Sequence, residues 1–169
     1  RVVFYNNSYI NLDGGAHLVL SNSNPNAITL KGAGGNIISE SEDNVVDWKI
    51  GNNIGEYIVP FTTQNGVKIP TILNLSSGGV GMGEVLFSTH TDNDNINSWN
   101  NMDYLPSGVL NMFGVNGFTN NSAYVIDRFW TIEAKGYSTQ PVGMLSFSYD
   151  NAERLAVGNT INSGTLKAQ

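Results

Sequence analysis

Residues 1–21 have the sequence RVVFYNNSYINLDGGAHLVLS, in which three short apolar runs are separated by Asn, Asp and Gly. Within each run, apolar side chains recur at a period of two, which is typical of β-strands. We expect a tight turn at Asp13-Gly14-Gly15 between the second and third strands. The predicted bounds of these strands, and of three similar ones downstream, are 2–5, 8–12, 16–21, 27–31, 36–40 and 45–50.

Strands this short and this evenly spaced fit two arrangements. They can form a meander of antiparallel hairpins, or the short faces of a β-solenoid whose successive coils stack on one another. No repeat unit recurs clearly enough to choose between the two. Residues 1–50 are therefore predicted to be an N-terminal β-meander or β-solenoid-like section.

From Gly55 onward the predicted strands become longer. Apolar residues at alternate positions give the last two strands one apolar face each, and such faces pack sheet against sheet. The predicted fold is all-β, with a β-sandwich of the Ig-like or jelly-roll type over residues 51–169. The predicted strand bounds in this part are 56–61, 67–75, 83–90, 109–113, 124–134 and 142–149.

The composition limits the partners that the chain can have. Only 13% of its 169 residues are charged, the net charge is −6, and Asn (24) and Gly (19) are abundant. Eight scattered Lys and Arg residues do not form the basic patch that nucleic acid requires, and no apolar run is long enough to enter a membrane. The uncharged polar composition favours an extracellular or cell-surface location.

Catalytic chemistry finds little support in the sequence. The chain has two histidines, His17 and His90, and no cysteine, so hydrolytic triads and zinc sites have few candidate residues. Carboxylates are scattered along the chain, and sequence alone offers no way to pair them across a cleft. We expect no enzyme activity and no cofactor, with calcium as the one candidate ion.

The calcium candidate lies in the long irregular stretch from Thr91 to Tyr104. Oxygen-bearing side chains at alternate positions resemble those of hard-cation loops. This stretch lacks the glycine and the bidentate glutamate of an EF-hand loop, so a solvated Asx-rich turn is the competing interpretation. The four candidate ligands are Asp92, Asp94, Asn97 and Asp103.

The same stretch contains a candidate sugar site. Trp99, with Tyr104 nearby, offers a flat apolar face on which a sugar ring can stack, as in β-sandwich carbohydrate modules. The alternative is an aromatic side chain folded onto the sandwich. Trp48 and Trp130 occupy apolar strands and are predicted to be core residues.

Four segments carry a resemblance to a known family. They are residues 55–61 (GEYIVPF), 69–79 (IPTILNLSSGG), 127–132 (DRFWTI) and 145–150 (LSFSYD). In this order they resemble a β-sandwich region of large secreted surface proteins of Bacteroidota, over roughly residues 50–153. The resemblance implies export by type IX secretion and supplies no catalytic residues. Thr62-Thr63 departs from the pattern, in which a glycine follows Phe61.

These observations together predict a non-enzymatic structural or adhesive module of a bacterial surface protein, with a filament subunit as one form that it can take. Its expected partners are copies of itself or neighbouring domains. Residues Val2, Val3, Phe4 and Tyr5 are a candidate assembly strand, unless that strand simply closes its own sheet. The alternative function is a carbohydrate-binding module, with or without calcium, whose partner is a polysaccharide.

Overall fold

The computed structural model describes residues 1–6, 8–32, 36–91, 126, 128–155, 162 and 164. Strands account for 54% of it and form several sheets, none closed into a barrel within these ranges, so the predicted all-β, sandwich-like fold is confirmed. The strands are β1 (Val2–Phe4), β2 (Tyr9–Leu12), β3 (His17–Leu20), β4 (Ile28–Leu30), β5 (Asn36–Ser39), β6 (Val45–Trp48), β7 (Gly55–Val59), β8 (Phe61–Thr62), β9 (Thr71–Ser77), β10 (Val80–His90), β11 (Phe129–Thr139) and β12 (Val142–Ser146). A 3₁₀ turn (Pro25–Ala27) precedes β4, and a short helix, α1 (Asn151–Arg154), follows β12.

The first six strands form a coil and not a series of hairpins. Strand β4 lies parallel to β1, β5 to β2 and β6 to β3, and β8 then adds in parallel to β5. One turn of the coil takes about 27 residues, since Val2 pairs with Ile28 and Tyr9 pairs with Asn36. A meander would pair neighbouring strands antiparallel, so the solenoid is the arrangement that forms.

A tight turn between β2 and β3 lies where the sequence predicts it. Gly14 and Gly15 have φ angles of 62° and 78°, in the left-handed region that favours glycine. The Asp13 carboxylate accepts a hydrogen bond of 2.8 Å from the Gly14 N–H. The turn therefore follows from local sequence alone.

The second coil holds this turn through Asn44, which is buried. Asn44 Oδ1 accepts hydrogen bonds from the N–H groups of Gly15 (3.0 Å) and Ala16 (3.3 Å), and Nδ2 donates to the Leu12 carbonyl (2.9 Å). One side chain of the second coil thus satisfies three backbone groups of the first. Such a contact joins the two coils where no strand ladder can.

Apolar side chains stack in rows inside the coil. Ile10 lies beside Ile37, which lies beside Phe61, and in the neighbouring sheet Leu20 lies beside Trp48. Ile37, Phe61 and Trp48 are almost fully buried. Trp48 Nε1 also donates to the Asn22 carbonyl (2.9 Å), which pairs the polar atom of the largest core residue.

The remaining strands pair antiparallel. Strand β9 lies between β7 and β12, while β10 pairs with β6 and has β11 on its other side. The strand predicted at 67–75 begins only at Thr71, because a turn precedes it in which the Thr63 N–H donates to the Val67 carbonyl and the Val67 N–H donates to the Thr63 hydroxyl. The strand predicted at 109–113 lies outside the described residues.

Contacts divide the chain into two compact units, Arg1–Thr89 with Trp130–Ser148, and His90–Phe129 with Tyr149–Gln169. In the first unit the sheets continue past residue 50, since β8 joins β5 and β10 joins β6. The domain boundary predicted there stays a prediction. No helix in the described ranges has the length and apolar character to cross a membrane.

The second unit contains helix α1 and a buried ion pair. Asp150 caps the helix by accepting from the Ala152 N–H, and Glu153 Oε2 accepts from the Asp150 N–H, which forms a capping box. The Arg128 guanidinium donates to Glu153 Oε1 at 2.6 and 2.8 Å. Arg128 and Asp150, both in segments of the family resemblance, thus have structural contacts within this unit.

Candidate functional site

The first turn of the coil ends in open strand edges. Strands β1, β2 and β3 each lie at the edge of their sheet, and each has a strand neighbour on one side only among the described residues. Because the three strands follow one another in a single coil, their open edges lie at the same end of the solenoid. We call this surface, formed by residues 2–20, the open coil end.

Hydrogen bonds show which backbone groups of β1 face outward. The Phe4 carbonyl accepts from the Lys31 N–H (2.8 Å), so Phe4 directs its backbone groups toward β4. The N–H and C=O of one strand residue point to the same side, and successive residues alternate. The N–H and C=O of Val3 therefore point away from β4, to the open edge.

Strands β2 and β3 follow the same rule. The Ser8 carbonyl accepts from the Asn36 N–H (3.2 Å), and the Leu20 carbonyl accepts from the Lys49 N–H (2.9 Å). Alternate residues of the two strands therefore direct their N–H and C=O groups outward. With Val3, the residues that present outward backbone groups are Tyr9, Asn11, His17 and Val19.

The interior of the coil is also incompletely covered at this end. Ile10 and Leu18 are only partly buried, while Ile37 and Val46, their partners in the second coil, are 0% exposed. The rows through Ile10 and Leu18 thus end in partly exposed side chains, whereas the last residues of β1, β2 and β3 are buried. Another layer of apolar residues placed there would be buried at a gain of about 25 cal/mol per Å².

The strands of the first coil lack two common edge-blocking residues. Sheet proteins often block exposed strands with lysine, proline or bulges, and β1, β2 and β3 contain no lysine or proline. Arg1 and Asp13 are the formally charged side chains of residues 1–20, so their charges cancel in a chain whose net charge is −6. Like surfaces of this kind can approach without charge repulsion.

The sequence-predicted site residues fall into two groups. Val2, Val3 and Phe4 form β1, which pairs with β4 on one side and is open on the other, while Tyr5 follows the strand and is 60% exposed. The assembly role remains a prediction. The calcium and sugar candidates Asp92, Asp94, Asn97, Trp99, Asp103 and Tyr104 lie outside the described residues, and they too remain predictions.

Several scattered carboxylates engage in ion pairs. Lys49 lies between Asp47 (2.9 Å) and Glu84 on the outward face of β6 and β10. Its hydrogen bond to Glu84, and next the one to Asp47, raise the pKa of the Lys49 ammonium above its usual range. Among the described residues no three His, Asp or Glu side chains group as a metal site would require.

Compared with known proteins, the chain matches no family model, no curated protein and no solved structure. Among the described residues of the first unit, the open coil end is the geometric feature that best indicates a function, because three strand edges are unpaired there. Sequence reasoning pointed to β1 but missed β2 and β3, because their open edges depend on parallel pairing that no local signal reveals.

Proposed function

We propose that this chain is a non-enzymatic structural module of an extracellular bacterial surface protein, which associates through its open coil end. The observation that carries the proposal is the set of five residues whose backbone N–H and C=O groups point outward from β1, β2 and β3 at one end. Unpaired strand edges are templates for adding further strands. A partner that supplies them would complete all three sheets at once.

The chemistry of the open coil end defines its partner. Three short parallel edges around partly exposed apolar side chains match another short-stranded β-coil better than a single extended peptide, which would reach one edge only. Solenoids bury their end residues by stacking further coils or by capping. The proposed suppliers are a second copy of the chain or a neighbouring domain. A second copy makes the chain a filament subunit where it supplies a surface other than its own open coil end, since contact through the same surface closes into a dimer.

Composition and resemblance support the proposed location. Low charge together with abundant Asn and Gly suits a secreted β-protein, and the four segments that resemble Bacteroidota surface proteins imply type IX export. The structure places two of those segments on β7 and β9, which pair with each other. The resemblance supports a surface role and supplies no activity.

Proline substitution on the open edges tests the association. Val3→Pro with Asn11→Pro removes two outward N–H groups and leaves the hydrogen bonds to β4 and β5 in place, because those N–H groups face away from both strands. Val3→Thr with Asn11→Thr is the matched control, since it keeps both N–H groups and places a residue that favours strands at each position.

Sedimentation velocity and negative-stain electron microscopy of the full chain give the readout. We expect concentration-dependent association of the wild type and the threonine variant, and monomers from the proline variant with unchanged far-UV circular dichroism. A proline variant that associates as well as the wild type would overturn association through this end, and a wild-type chain that remains monomeric at every concentration would exclude a second copy as the supplier.

A further inference from the structure

A depression of about 410 Å³ lies on the outward face of the sheet formed by β3, β6, β10 and β11, within the first unit. Val45, Leu86 and Ser88 contribute to its base, and His17, Asp43 and Glu133 are among the polar residues around it. None of its described lining residues belongs to the stretch Thr91 to Tyr104 in which the sequence predicts a sugar site. It therefore requires its own explanation.

Ser88 is the first sign that this surface receives a ligand. The residue is 1% exposed, and its hydroxyl Oγ has no hydrogen-bond partner. Ser88 lies on the same outward face of β10 as Leu86, because side chains alternate along a strand and Phe87 between them belongs to the core beside Val46. A buried hydroxyl without a partner costs free energy, and a ligand hydroxyl in the depression would supply that partner.

Asp47 adds a second buried acceptor on the same face. It lies opposite Leu86 in the β6–β10 register and is 7% exposed. One carboxylate oxygen, Oδ2, binds Lys49 at 2.9 Å, while Oδ1 has no hydrogen-bond partner. Two neighbouring strands thus each present an unsatisfied polar atom outward.

The side chains around the depression determine the class of ligand. Glu42, Asp43 and Glu133 supply acceptors, whereas Lys135, which binds Glu133 at 2.9 Å, supplies a donor. An excess of carboxylates disfavours anions, and the pairing of Lys135 with Glu133 leaves a cation as the competing ligand, which the propylammonium comparison below tests. Hydroxyl groups both donate and accept, so a polyol satisfies both kinds of side chain.

We propose that this depression binds a neutral saccharide, with a sugar hydroxyl paired to Ser88 and others to Asp43 and Glu133. Val45 and Leu86 offer the apolar contact that the C–H surface of a sugar ring requires. The inference does not rest on the association through the open coil end, although His17 beside the depression also belongs to that end. It also differs from the predicted Trp99 platform in every residue involved.

A printed array of neutral and acidic glycans, probed with the labelled full chain, tests the proposal. Saturation-transfer NMR with the strongest neutral glycan, and with propylammonium and sulfate as comparison ligands, then measures relative binding. The diagnostic variants are Ser88→Ala and Asp43→Asn. Glu56→Gln, an exposed charge change on β7, is the control for both.

We expect binding to neutral glycans that falls about 5-fold in Ser88→Ala and about 10-fold in Asp43→Asn, with no change in Glu56→Gln. The melting temperature of Ser88→Ala should be equal to or above that of the wild type, because the substitution removes an unsatisfied buried group. A purely structural serine would instead lower it.

Four results would overturn the proposal. They are a silent array, binding confined to acidic glycans, stronger binding of propylammonium, or glycan binding that survives both diagnostic substitutions. Loss of binding in Trp99→Ala alone would move the site to the loop, which also contradicts it. The Val3→Pro, Asn11→Pro variant should bind glycans as the wild type does. Glycan binding can therefore still be measured in a protein that does not associate.

Discussion

The parallel coil and the antiparallel strands of the first unit satisfy their backbones in different ways. Coil strands are three or four residues long in β1 to β6, whereas β10 and β11 each have 11 residues. Long antiparallel strands pair most of their groups in ladders with nearby strands. Short coil strands leave many turn groups outside the ladders, and those depend on side chains one coil away.

The open coil end differs from the other edges of the unit in what it leaves uncovered. Each coil is joined to the next through strand ladders, apolar rows and contacts such as that of Asn44. Among the described residues the first coil has such a neighbour on one side only. Strand β12 is likewise an edge strand that pairs along its length with β9, but all five of its residues are exposed, whereas β1, β2 and β3 each end in a buried apolar residue.

Asn44→Ala should produce the largest loss, because it breaks the contact on which the coil depends. The substitution leaves the Leu12 carbonyl and the Gly15 and Ala16 N–H groups without their partners, at a cost of about 3 kcal/mol in free energy of unfolding. Urea denaturation followed by circular dichroism measures the loss. Asn26→Ala, at an exposed site, should stay within about 0.5 kcal/mol of the wild type.

An Asn44→Ala variant as stable as its Asn26→Ala control would show that water replaces the side chain. The coils would then be joined by their strand ladders and apolar rows alone. The parallel coil and the antiparallel strands would then differ in strand length, and not in the hydrogen bonds that hold their turns.

Local sequence predicted most of the strands but not how they pair. The six coil strands were predicted within one or two residues of their observed bounds, because alternation and Gly or Asn turns are local signals. Parallel pairing arises between residues about 27 positions apart, such as Val2 and Ile28, and leaves no local trace. The choice between meander and solenoid therefore stayed open until the structure settled it.

Individual polar residues were harder to predict. Asn44 is one of 24 asparagines, and nothing in its neighbours distinguishes it from those in exposed turns. Ser88 follows the apolar run Val85-Leu86-Phe87, where alternation assigns it to the outward face and gives no reason to expect burial. Its burial without a hydrogen bond depends on tertiary packing, which period-two patterns do not encode.

Gly83→Ala should have an intermediate effect, because it disturbs close packing in the antiparallel region. A Cβ at position 83 would overlap the Tyr137 ring, and that ring is held by a hydrogen bond of 2.9 Å from its hydroxyl to the Gly51 carbonyl. We expect a loss of about 2 kcal/mol in free energy of unfolding. In a double-mutant cycle with Tyr137→Ala the two losses should be less than additive.

Strict additivity in that cycle would contradict the packing of Tyr137 over Gly83. The loss would then come from the altered backbone of β10 itself. The stability of the antiparallel strands would then depend, at position 83, on the backbone conformation that glycine allows and not on contact with a neighbouring side chain.

Tyr57 joins the two regions and should give the smallest effect at neutral pH. It lies on β7 and packs edge-on against Trp48 of the coil, with 5.0 Å between the two ring centroids. Its hydroxyl donates a hydrogen bond of 3.0 Å to the Ser23 carbonyl. Tyr57→Phe removes that one hydrogen bond, so we expect a loss of about 1 kcal/mol at pH 7. Tyr9→Phe, which is exposed, is the matched control.

Alkaline pH separates this contribution from the others. Burial, with a smaller effect of Tyr137, raises the pKa of Tyr57 from 10.0 to about 12, so the unfolded chain releases the proton first. The stability gained by keeping Tyr57 neutral is complete below pH 10 and is lost as the pH rises toward 12. Melting temperatures should therefore fall more steeply over this range in the wild type and Tyr9→Phe than in Tyr57→Phe. Equal slopes in all three proteins would mean that water reaches the Tyr57 hydroxyl where the coil meets the antiparallel strands.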